Sequence, residues 1–261
     1  MTRPSRLLAP VPADRRGRRG AQLLTGLVLY GVTSAMMVLS GLGLDPWDVL
    51  HQGLSRTFGL GIGTWAIIVS FFVLLGWIPL RQRPGVGTAT NVVLVGAVID
   101  LMLVVFHPPH AVWARIALLL GAVAGNGLAT GLYIGAQLGP GARDGLTTGI
   151  AARGHSIRIV RTTIEAAVLV TGFVLGGTVG IGTLLYALAI GPITHVTIPA
   201  LAITRGGRTP WATAPGQPAA GHDAAVAGEP AGHGAAVAGE PAVAPEAGGL
   251  SPAGSGRSGS G

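Results

Sequence analysis

Gly43-Leu44-Asp45-Pro46-Trp47-Asp48-Val49-Leu50-His51-Gln52-Gly53-Leu54 is answered later in the chain by Gly139-Pro140-Gly141-Ala142-Arg143-Asp144-Gly145-Leu146-Thr147-Thr148-Gly149-Ile150. Each stretch follows a long apolar run and puts a carboxylate just beyond it. The correspondence resumes downstream, where Gly85-Val86-Gly87-Thr88 and Gly96 match Gly180-Ile181-Gly182-Thr183 and Gly191. Gly31 and Gly127 belong to the same alignment. A unit duplicated inside an apolar chain is a statement about architecture.

The apolar runs around these stretches are contiguous rather than periodic. Hydrophobic residues make up 49% of the chain and charged residues only 10%, where a soluble domain carries about a quarter charged. Mean hydropathy is +0.59. Ala21 to Leu44 and Gly59 to Leu80 contain no charge, and Val86 to Phe106 contains only Asp100. Ile116 to Ala142 is uncharged, and from Ala166 to Ile203 only His195 could be charged. A bilayer crossing needs about 20 apolar residues. The pattern predicts six spans, near 21–43, 63–80, 86–106, 114–138, 159–176 and 181–203. The first run is too long for a secretory leader and lacks a small-residue cleavage site, so it is read as a span.

All seventeen basic residues are Arg. They fall before span 1 (Arg3, Arg6, Arg15, Arg16, Arg18, Arg19), after span 2 (Arg81, Arg83), between spans 4 and 5 (Arg143, Arg153, Arg158) and after span 6 (Arg205, Arg208). The opposite side keeps mainly Arg56 and Arg115. This is the positive-inside pattern, and it predicts a plasma-membrane protein with both termini cytoplasmic. The high pI is an orientation signal, not one for nucleic acid. The chain contains no cysteine, which excludes disulfides and thiolate metal sites.

The predicted fold is therefore all-α, with six transmembrane helices in two repeats, 21–106 and 114–204. Each repeat has three spans, an odd number, so the second copy enters the membrane inverted. Short interfacial helices are expected after spans 1 and 4. Residues 1–20 read as an Arg-rich cytoplasmic arm. Residues 205–261 read as a disordered low-complexity tail, in which Ala220 to Pro230 is nearly repeated by Ala231 to Pro241. His222 and His233 in that tail are too isolated to argue for a metal.

Asp45 suits a helix N-cap, Pro46 the first helical position and Asp48 the first turn, with Trp47 expected as an interfacial anchor. Asp48 and Asp144 thus read either as helix-start residues or as carboxylates that bind a cation at a helix terminus. Arg161 and Glu165, one turn apart in span 5, read either as a structural pair or as a coupling site. If the arginines reach to the interface, Glu165 is the deepest acid. Asp100 and His195 occupy corresponding places near the ends of spans 3 and 6. In span 4, Gly121, Gly125, Gly127, Gly131 and Gly135 form small-residue packing motifs, expected to meet span 1. Gly61-Ile62-Gly63-Thr64 is a third copy of the GxGT motif, so the motif also reads as a way of starting a span.

No nucleophile elbow, zincin helix, P-loop or dinucleotide fingerprint is present, and His107-Pro108-Pro109-His110 reads as an outer turn. No enzyme activity, metal or cofactor is expected. The expected partners are the lipid bilayer and either a second copy of the chain or another membrane protein.

The runs Gly41 to Ser55, Trp77 to Pro84, Gly131 to Gly135, Gly139 to Leu146, Ser156 to Thr162 and Gly176 to Thr183 resemble the YczE/YitT-type bacterial membrane proteins, the YczE branch most. The resemblance covers about residues 21–204. It implies a multi-span inner-membrane protein and brings no activity or site residues with it. YitT-type members often carry a soluble C-terminal domain, where this chain has only its low-complexity tail. The sequence supports a small secondary transporter or channel, with a non-transporting scaffold or regulator as the other reading. A central polar cavity reached by Glu165, Asp100 or His195 would favour transport; a dry interior would favour the scaffold.

Overall fold

The structure is a computed structural model that describes residues 14–203. The tail and most of the N-terminal arm lie outside the described residues. Within them the regular structure is helical: α1 (Arg16–Ser40), α2 (Pro46–Phe58), α3 (Ile62–Leu80), α4 (Val86–Val105), α5 (Val112–Gly135), α6 (Ala142–Ala151), α7 (Ile157–Val174) and α8 (Ile181–Leu201). Five of these, α1, α3, α4, α5 and α8, are long and apolar enough to cross a membrane. α7 carries Arg158, Arg161 and Glu165 in its 18 residues and is not among them.

Local chemistry sets the helix starts. Asp45 caps α2, its Oδ1 accepting from the backbone N–H of Trp47 (2.9 Å) and Asp48 (3.2 Å), with Pro46 in the first turn. All three GxGT motifs begin helices. In α4 and α8 the Thr hydroxyl accepts from the N-cap glycine, Gly85 N–H to Thr88 (3.1 Å) and Gly180 N–H to Thr183 (3.3 Å). In α3 the start is closed from outside: Asp100 of α4 accepts from Gly63 N–H, Thr64 N–H and the Thr64 hydroxyl, each at 2.7 Å.

α1 and α5 share the most extensive helix–helix interface; α4 packs on α1 and α8 on α5. α2 packs between α3 and α7, and α6 touches the same two helices. The loop after α1 sits on the start of α8, and the loop after α5 sits on the start of α4. Gly182 N–H donates to Leu42 O (2.8 Å) and Gly87 N–H to Leu138 O (2.9 Å). Gly43 (φ +127°) and Gly139 (φ +128°) make these approaches possible, since a Cβ there would lie 2.7 Å from Thr183 N and 2.8 Å from Thr88 Oγ1.

The glycines of α5 divide between two neighbours. Gly121 and Gly125 face Met36 and Thr33 of α1, whereas Gly127, Gly131 and Gly135 face Ile193, Thr197 and Leu201 of α8. Small residues thus let one helix backbone approach two others. Large apolar side chains such as Phe72, Val104, Ile181 and Leu188 are exposed on α3, α4 and α8, as a lipid-facing surface requires.

Three expectations change. α1 begins at Arg16, so Arg19 belongs to the fold and not to a free arm. Arg19 is fully buried and donates to Ala136 O (3.0 Å) and Ile203 O (3.1 Å), closing one end of the α1–α5–α8 group. The short helices after spans 1 and 4 are present, but α2 is no interfacial anchor. Trp47, Asp48, His51 and Gln52 are all buried within the protein, because α3 and α7 cover the face that carries them. Glu165 is also not among the buried acids: its side chain is 37% exposed, whereas Asp45 is 1% exposed.

Candidate polar cavity

The two matched stretches converge. Asp45 Oδ1, at the start of α2, lies 3.6 Å from Nη1 of Arg143, in the first turn of α6. The Arg143 guanidinium also sits over the Tyr30 ring of α1, 5.2 Å from its centroid. Tyr30 meets Tyr133 of α5 edge-on, with centroids 6.0 Å apart. Tyr133 in turn donates its hydroxyl proton to Asp144 Oδ2 at 2.9 Å. α6 is fixed by buried Trp77 of α3, whose Nε1–H donates to Ala142 O (2.9 Å).

One turn into α2, Asp48 Oδ1 and His51 Nδ1 are 3.1 Å apart. The i, i+3 spacing puts both on one helix face. Burial raises the Asp48 carboxyl above its ordinary range and lowers His51 to about 4. A neutral His51 that donates from Nδ1 keeps a lone pair on Nε2.

These side chains surround a cavity of about 60 Å³. Tyr30, Asp48, His51, Tyr133 and Arg143 form its polar wall, and Ser70 of α3 and Asn91 of α4 add two more polar groups. Trp47, Val92 and Ile99 supply apolar surface. Three of the polar residues carry a buried atom without a hydrogen-bond partner: Tyr30 Oη, Asp48 Oδ2 and His51 Nε2. Buried polar atoms are nearly always paired, so their gathering at one cavity makes it the candidate site.

The structure separates the residues singled out from the sequence. Asp48 lines the cavity, and Asp144 joins its edge through Tyr133. Arg161 Nε and Glu165 Oε1 form a 2.9 Å pair with side chains 59% and 37% exposed, and neither lines the cavity. Asp100 is engaged at the α3 start, and His195 lies on an exposed face of α8. Asp45, His51, Tyr30 and Tyr133 were not legible as site residues. The Asp48–His51 spacing was the one available signal; Tyr30 and Tyr133 sit in uniformly apolar runs that give no register. A second buried network, Tyr186 Oη–H to Asn126 Oδ1 (3.0 Å) and Asn126 Nδ2–H to Thr33 Oγ1 (3.3 Å), ties α8, α5 and α1 together. Among the described residues, no three His, Cys, Asp or Glu side chains gather as metal ligands.

Residues 17–199 match a family of unknown function, DUF6198. An uncharacterized protein of Haemophilus influenzae is 39% identical over 174 residues, 66% of this chain and 80% of that one. The uncharacterized membrane protein YczE of Bacillus subtilis is 33% identical over 179 residues, 67% of this chain and 82% of YczE. YyaS of the same organism, also uncharacterized, is 30% identical over 181 residues, 67% of this chain and 89% of YyaS. No solved structure matches. The match to YczE agrees with the resemblance read from the motifs, and the helices give a multi-pass membrane protein. The chain belongs to the DUF6198 family and is a relative of the membrane protein YczE.

Proposed function

We propose that this protein is a small secondary transporter of the plasma membrane and not an enzyme, with a solute path through the cavity between the starts of α2 and α6. The observation that carries this reading is the set of unpartnered buried atoms, Tyr30 Oη, Asp48 Oδ2 and His51 Nε2, at a cavity walled by both matched stretches. A scaffold gains nothing from buried polar atoms left unpaired, each of which costs about 1–3 kcal/mol. A binding site gains a ligand's partners.

The architecture that goes with this reading is six spans in two inverted repeats. Its support is the exchange of equivalent contacts: Gly43 on Thr183 against Gly139 on Thr88, and α4 on α1 against α8 on α5. Inverted repeats place a shared site where the two copies meet. The Arg distribution favours cytoplasmic termini.

Purified protein in liposomes, screened for uptake of metabolites and ions, tests the reading. Uptake that disappears in a folded Asp48→Asn variant supports it. Absence of flux for every solute in both directions sinks it.

A second reading, a scaffold that acts through a membrane partner or a second copy, rests on α7. Its Arg161–Glu165 pair lies on an exposed face, and charged side chains facing lipid are costly unless something covers them. Cross-linking from cysteines placed along that face would reveal such a neighbour.

A further inference from the structure

We infer that the cavity binds a small monocationic amine, of the ammonium or monoalkylammonium class, through Asp48, His51 and Tyr30. The inference deepens the transporter reading by naming its substrate class, and it rests on that reading only for the movement of the ligand, not for its binding.

The charges come first. Three carboxylates lie at this region: Asp144, which takes the Tyr133 hydroxyl at the cavity's edge, and Asp45 and Asp48. Asp45 is matched by Arg143 at 3.6 Å and by two backbone N–H groups. Asp48 meets His51 at 3.1 Å through one of its two oxygens, with the Asp45 carboxyl and the Ser34 hydroxyl also beside it. Its Oδ2 is buried and has no partner. Asp45 and Asp48 are buried side by side and burial raises both carboxyls, so beyond the charge that Arg143 matches the pair takes a second negative charge most readily when a cation joins it, and an anion is opposed.

The hydrogen-bond inventory narrows the ligand. Asp48 Oδ2 is an acceptor. With Nδ1–H directed at Asp48, His51 Nε2 is an acceptor as well, and the Tyr30 hydroxyl accepts as readily as it donates. Three acceptors around one space call for a ligand with several N–H donors. A bare alkali cation has none and favours oxygen over imidazole nitrogen. The Tyr30, Trp47 and Tyr133 side chains on the same wall add aromatic surface of the kind that attracts an ammonium group. The volume sets the size: a cavity of about 60 Å³ holds a few water molecules, which suits ammonium or a short alkylammonium.

The test is equilibrium binding of radiolabelled methylammonium to the purified full-length protein in detergent. Saturable binding is expected, displaced by ammonium and not by equal concentrations of sodium or tetramethylammonium. Asp48→Asn should weaken it about tenfold or more. Tyr30→Phe, which keeps the ring and removes the hydroxyl, should weaken it to a lesser degree and covers the case in which Asp48→Asn fails to fold. His107→Ala, on the outer turn, should bind as the unaltered protein does. No saturable binding, displacement by sodium, or binding unchanged in both cavity variants overturns the inference. Uptake of other solutes by liposomes in the absence of amine binding would leave the transporter reading standing while this one falls.

Discussion

Asp48 and Asp45 sit one helical turn apart and are treated differently by the fold. Asp45 ends in a cap and an ion pair, and Asp48 ends at a cavity. The difference makes separate predictions. Amine binding should weaken as pH falls, because a proton on Asp48 removes the charge that the cation needs. Burial raises the Asp48 carboxyl, so the loss should begin above the ordinary carboxylate value of about 3.9 and reach about tenfold per pH unit below the folded pKa. His51, lowered to about 4, stays neutral through most of that window. Asp45, beside Asp48, is itself raised well above the carboxylate range by burial, so the two carboxyls take up protons as a pair and the profile reports that pair. Methylammonium binding titrated from about pH 7 to about pH 4.5 checks this; a flat profile contradicts it. Arg143→Gln strands the Asp45 carboxylate with two N–H partners but no countercharge. Since Arg143 is 29% exposed, the expected cost is about 1–3 kcal/mol, below that of a fully buried pair. Thermal unfolding of Arg143→Gln and of the double variant Asp45→Asn/Arg143→Gln should show the second substitution restoring much of the loss.

At the scale of the helix, glycine spacing announced close packing but not which neighbour each glycine meets. Gly121 and Gly131 belong to the same helix and the same motif class, yet their surroundings differ. A Cβ at Gly131 would lie 2.7 Å from Thr197 Cβ and 2.9 Å from the Thr197 backbone, which cannot move without moving α8. A Cβ at Gly121 would meet only the Met36 methyl at 3.3 Å, the flexible end of an adaptable side chain. Gly131→Ala should therefore destabilise by about 1–3 kcal/mol, and Gly121→Ala should be neutral or stabilise by up to about 1 kcal/mol. Paired melting curves separate the two, and equal effects would mean that the α5–α8 contact is looser than it looks. Much of the element pattern was readable before the fold. Caps, glycine turns and long apolar runs are local features, and five of the six expected spans reappear as long apolar helices. The cavity was not readable, because it depends on the register of Tyr30 and Tyr133 within apolar helices and on two distant helix starts meeting. Glu165 misled for the same reason: depth along a run says nothing about which way a side chain faces.

For the whole molecule, the span count turns on α7: five if it stays on one side of the membrane, six if it crosses. Its three ionisable residues argue against a simple apolar crossing. Its contacts argue for one. The far end of α7 meets the end of α2 close to where α3 begins: Gly172 packs on Leu50, Thr57 Oγ1 donates to Leu175 O (3.1 Å), and Thr178 N–H donates to Gln52 Oε1 (2.7 Å). The loop that leads into α7 lies where α3 finishes, with Arg153 Nη2 donating to Pro79 O (2.7 Å). α7 therefore runs the length of α3 in the opposite sense, and α3 is one of the five helices apolar enough to cross. If α3 crosses, α7, joined to it through α2 and α6, is expected to cross as well. The chain has no cysteine, so single cysteines report without background. His155→Cys, just before α7, should react with a membrane-impermeant thiol reagent only after permeabilisation. Val179→Cys, between α7 and α8, and His107→Cys, between α4 and α5, should react in intact cells. Labelling of His155 and Val179 from the same side would reduce the spans to five, remove the inverted repeat, and leave the match between Asp48 and Asp144 without a structural cause. Reaction of His155 alone from outside would instead reverse the orientation that the arginines imply.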